Sequence, residues 1–81
     1  MRMLDTRTDE AIEGLQLYLT TEEAKELRAS LERLLGDPEA LEHDHLFSSD
    51  GGCEMSFSIV TPLKLSGPGY TPAERRLFGV R

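Results

Sequence analysis

The sequence predicts an α+β domain of order β-α-β-β, with one main amphipathic helix packed on a small three-stranded mixed sheet. An extended C-terminal arm carrying a short helical turn completes it. Three observations predict this. A leucine stripe of helical spacing follows a helix-start signal at Thr20, segments with two-residue alternation lie on either side of it, and proline and glycine take over after Thr61. Residues 1–11 read as a polar, flexible lead-in, residues 12–61 as a single core domain, and residues 62–81 as an arm that docks on its own or a partner subunit.

The first strand is expected from Ile12, because Leu15, Leu17 and Leu19 alternate with Gly14, Gln16 and Tyr18. The helix follows directly. Thr20-Thr21-Glu22-Glu23 is a capping-box sequence, in which Glu23 reaches back to the Thr20 amide, and both glutamates suit the positive end of a helix. Ala24, Leu27, Leu31 and Leu34 then recur at spacings of three, four and three, with Leu35 widening the stripe. These place a core-facing helix over residues 21–35. Gly36 is read as a left-handed closing residue, and Pro38 prevents the helix from resuming.

Residues 43–47 and 53–60 flank Ser48-Ser49-Asp50-Gly51-Gly52, so they are expected to form an antiparallel hairpin closed by Pro62. In its second strand Cys53, Met55, Phe57 and Ile59 make one apolar face. The first strand is less clear: if Phe47 points inward so do His45 and His43, and if Leu46 does so do Asp44 and Glu42. Beyond it, Thr71-Pro72-Ala73-Glu74 repeats the helix-start grammar and predicts a short helical turn to Phe78. A helix of that length needs a docking surface.

The 81 residues carry a formal charge of −6, spread unevenly. Residues 1–61 hold 14 acidic and 5 basic side chains, whereas the arm holds Lys64, Arg75, Arg76 and Arg81 against Glu74 alone. An acidic body repels a phosphate backbone, and the aromatics are not interleaved with basic residues, so nucleic acid is not expected as a partner. No stretch reaches the ~18 apolar residues of a membrane span. The amino terminus turns acidic at Asp5 and lacks the apolar run of a signal peptide, and a single cysteine fits a reducing compartment. A soluble cytoplasmic protein is the expectation.

His43 and His45, with Cys53 across the turn, are the one cluster with ligand chemistry. Residues two apart on a strand share a face, so two imidazoles could grip a metal ion with the thiolate as a third ligand. A fourth ligand is missing and the spacing is unlike that of a structural zinc site, so no cofactor is expected. Cys53 as a nucleophile would need His45 as its base, but the company of Met55, Phe57 and Ile59 marks it as a small hydrophobe. The glycines fit neither a dinucleotide nor a phosphate loop. The leading expectation is therefore a self-associating protein-interaction module without assignable catalysis, a homodimer whose interface is Leu63, Leu65, Tyr70, Leu77 and Phe78, with room for an unidentified protein partner. The alternative is an accessory metal- or ligand-binding domain built on the His43/His45 strand.

Overall fold

The structure, a computed structural model, describes residues 1–80. It is an α+β fold of two hairpins and three helices: β1 (Met3–Leu4), β2 (Ala11–Ile12), α1 (Thr21–Leu35), β3 (Asp44–Phe47), β4 (Glu54–Phe57), α2 (Pro62–Leu65) and α3 (Pro72–Phe78). The expected three-stranded mixed sheet is not formed. β1 pairs only with β2 and β3 only with β4, in two separate antiparallel sheets; besides the main helix and the short C-terminal one at α3, a third helix, α2, stands in the arm expected to be extended.

The missing strand is the segment of residues 15–19, and the reason is spatial. A strand lying beneath a helix needs a connection of roughly 2–6 residues to climb the layer between them. Here the cap at Thr20 follows Leu19 directly, with Thr20 Oγ1 accepting from the Glu23 amide at 3.1 Å and Glu23 Oε1 accepting from the Thr20 amide at 2.8 Å. Nothing is left to make the climb. The leucine alternation survives without a partner strand.

Helix α1 has the predicted bounds, but its inward face is rotated. Glu23 and Leu34 are buried and Leu27 and Ser30 half-buried, whereas Ala24 is exposed and Leu31 is 37% exposed. The positions 23, 27, 30 and 34 trace a valid helical face shifted from the all-leucine one. Gly36 is right-handed at φ −65, not left-handed, and its amide donates to the Arg33 and Glu32 carbonyls at 3.2 and 3.1 Å.

β3 and β4 form the expected antiparallel hairpin, though β4 ends at Phe57 and stops short of the expected residue 60; Asp44 lies opposite Phe57, His45 opposite Ser56, Leu46 opposite Met55 and Phe47 opposite Glu54. Its inner face carries Leu46, Met55 and Phe57, and Leu46 is buried. Asp50 organises the turn, accepting from Ser48 Oγ at 2.7 Å and from the Gly52 amide at 2.8 Å. Gly51, at φ +75, supplies the left-handed step that a side chain would strain.

Pro62 does not end an extended segment; it opens α2. Thr61 caps that helix, accepting from the Lys64 amide at 3.2 Å. Thr71 and Glu74 form a second full capping box on α3, and Gly79 closes it at φ +75. The core sits where α1 packs on β3, while α3 packs on β1 at the other end. Among the described residues only Leu34 and Leu46 are buried hydrophobics. The radius of gyration is 13.6 Å, against roughly 11.7 Å for a compact chain of this length.

Candidate interaction surface

Two buried polar side chains fix the geometry of the surface. Glu23 spends one carboxylate oxygen on the helix cap and the other on the hairpin turn, where Oε2 accepts from the Ser49 amide at 2.9 Å and from Ser49 Oγ at 3.2 Å. The Thr20 and Ser49 amides hold its carboxyl below the ordinary range. Lys64 is buried at the other end of the core and donates from Nζ to the Ala40 carbonyl at 3.1 Å, while Thr61 Oγ1 donates to Glu39 at 2.6 Å. Together they tie α2 to the loop after α1.

The inner face of β3 is resolved in favour of Leu46, which brings Asp44 inward with it. Asp44 is tolerated because helix α1 supplies partners for it. The Ser30 hydroxyl, the His45 amide and the Arg33 guanidinium hold its carboxyl down at about 2. The His45 amide donates at 2.8 Å, and Arg33 makes an ion pair with the carboxylate.

Consequently His43, His45 and Phe47 all face out and are exposed. The two imidazoles meet edge to face with centroids 4.8 Å apart, His45 stacks on Phe47 at 5.8 Å, and His45 Nδ1 lies 3.6 Å from Glu54 Oε1. Cys53 is exposed and hydrogen-bonded through its backbone to Ser48. It lies just before the first residue of β4, and among the described residues it is not grouped with His43 and His45 as a set of three possible ligands. The structure thus brings the two histidines together and leaves the thiol apart. Among the described residues no three His, Cys, Asp or Glu side chains are grouped to hold a metal ion.

Of the arm residues, Leu63 is 69% exposed, while Leu65, Tyr70, Leu77 and Phe78 are half-buried. Tyr70 and Phe78 meet edge to face at 5.0 Å. The Tyr70 hydroxyl is buried without a hydrogen-bond partner among the described residues, and burial, with the Glu74 carboxylate, pushes its pKa up. Leu77 joins Met3, Ala11 and Ile12 in lining a groove of about 360 Å³ between α3 and the first hairpin.

Sequence reasoning missed Glu23 and Lys64 as tertiary anchors. For Lys64 the signal was present, since Thr61-Pro62 repeats the start grammar of Thr71-Pro72 ten residues earlier. For Glu23 the capping box predicted one of its two roles and could not predict the other, because Ser49 is distant in sequence.

These features define a small globular α+β domain of two antiparallel hairpins with a thin core and a large apolar surface. Among its described residues no helix is long and apolar enough to cross a membrane. No family model matches the chain, and no curated protein or solved structure shows significant similarity to it.

Proposed function

We propose that this chain is a protein-interaction module that self-associates, most simply as a homodimer. One observation carries the reading. The chain exposes 6416 Å². A compact monomer of 9.1 kDa exposes roughly 4,900 Å², so about 1,500 Å² more than usual is left to water. A standard interface covers about 800 Å² on each partner. Large apolar side chains belong to that exposed surface, among them Leu15, Leu17, Tyr18, Leu35, Leu41, Phe47 and Leu63. The arm supports the same reading: Leu63 is open to a neighbour, and the contacts of Leu65, Tyr70, Leu77 and Phe78 could be made equally with a second copy by exchange.

Sedimentation of the full chain from roughly 1 to 100 μM brackets a micromolar dimer. A concentration-dependent rise to twice the monomer mass is expected, and a monomer throughout would end the proposal. A second reading, an accessory ligand site, has in its favour the adjacent rings of His43 and His45. Two exposed imidazoles make a weak site unless a partner adds further ligands.

A further inference from the structure

The segment of residues 15–19 stands out within the exposed surface. Its leucines alternate as in a strand, yet it belongs to neither sheet. Among the described residues, none of its backbone amides or carbonyls makes a backbone–backbone hydrogen bond. Leu15, Leu17 and Leu19 are 58%, 48% and 36% exposed, and Tyr18 is 83% exposed. Free ladder positions combined with an apolar alternating face are what an added strand recognises.

We propose that residues 15–19 pair with the same segment of a second copy as an intermolecular antiparallel ribbon centred on Leu17. This rests on the self-association reading and names the surface that performs it. Pairing about Leu17 sets Leu15 of one copy opposite Leu19 of the other and Gln16 opposite Tyr18. All six leucines then share one face, and both tyrosines lie on the opposite face.

Charge permits a second copy at this segment and selects the direction of pairing. Two copies of net charge −6 repel, and residues 14–21 carry no charged side chain, so contact here costs little repulsion. In the antiparallel pairing Glu13 falls opposite Thr21 of the second copy. A parallel in-register pairing would instead oppose Glu13 to Glu13, and that like-charge contact disfavours it. The self-complementary pairing is isologous and closes as a dimer. Its far end is bounded by Thr20, whose amide is already held by Glu23 at 2.8 Å.

The test compares the full-length chain with Leu17→Pro and Leu17→Lys by sedimentation, with amide hydrogen exchange at low and high protein concentration. Proline removes a ladder donor, and lysine places a charge in the apolar seam. Leu17 lies outside every helix and strand of the single chain, so the far-UV circular dichroism of both variants should match that of the parent diluted to monomer, and Leu17→Lys serves if the proline variant misfolds. Expected are a dimer weakened at least about tenfold by either change and amides of residues 15–19 protected only at high concentration. A dimer of unchanged affinity in the variants, with those amides unprotected, overturns the ribbon and leaves self-association standing. A parent chain monomeric up to about 100 μM ends both.

Discussion

Leu34 and Leu31 occupy one predicted leucine stripe, yet the structure separates their energetic roles. Leu34 is 5% exposed on a helix that packs on β3, whereas Leu31 is 37% exposed. Truncating Leu34 to alanine removes three buried carbons, worth about 2.4 kcal/mol at ~0.8 kcal/mol per methylene. A cavity adds to that cost, but a core holding so few fully buried side chains can partly close over the gap. The expected loss is about 2–3 kcal/mol, or a melting temperature lower by roughly 10–20 °C in a domain of this size. Leu31→Ala leaves no enclosed cavity, and alanine's helix propensity offsets a few tenths of a kcal/mol of the lost burial, so it should cost about 1–1.5 kcal/mol. Urea unfolding followed by far-UV circular dichroism, at one fixed low concentration so that association does not enter, compares the two directly. If Leu31→Ala costs as much as Leu34→Ala, the rotated inward face of α1 is wrong.

Other expectations follow from the polar anchors and the outer strand face. Asp44 has a folded-state pKa lowered from 3.8 to about 2, so its contribution to stability is present above about pH 4 and is lost as pH falls through 2. The stability gap between the parent chain and Asp44→Asn should accordingly be widest near neutrality and shrink across that window, in urea titrations at stepped pH. Glu23→Gln should loosen the junction of helix and turn, accelerating hydrogen exchange at the Thr20 and Ser49 amides while leaving the middle of α1 unchanged; unaltered exchange at Ser49 would count against the anchor. Calorimetry with zinc at neutral pH should show only weak binding dependent on His43 and His45, and submicromolar affinity abolished by His45→Ala would promote the ligand-site reading.

Much of the local structure was legible from residues close together in the chain. The cap at Thr20, the bounds of α1, the turn around Asp50 and the capping box at Thr71 all depend on groups within a few positions of one another, and hydrogen bonding within a turn does not wait for the rest of the fold. The two-residue alternation likewise marked Met55 and Phe57 as the inner face of β4, because a strand can present only two faces, although it did not show that the strand ends at Phe57, before Ile59. What the pattern left open was pairing. The leucines at 15, 17 and 19 look like a strand from sequence, but a strand exists only against a partner, and the missing connection before Thr20 denies one within the chain. The direction of β3 was open for a related reason: Leu46 and Phe47 are near equals as apolar residues, and the choice turned on Ser30 and Arg33, distant positions that make an inward Asp44 tolerable. The candidate surface divides the same way. The apolar and histidine residues could be named from composition and spacing, but the separation of Cys53 from the histidines, the burial of Lys64 and the double duty of Glu23 come from contacts between segments, whose free energies depend on a packed arrangement that no short stretch of chain contains.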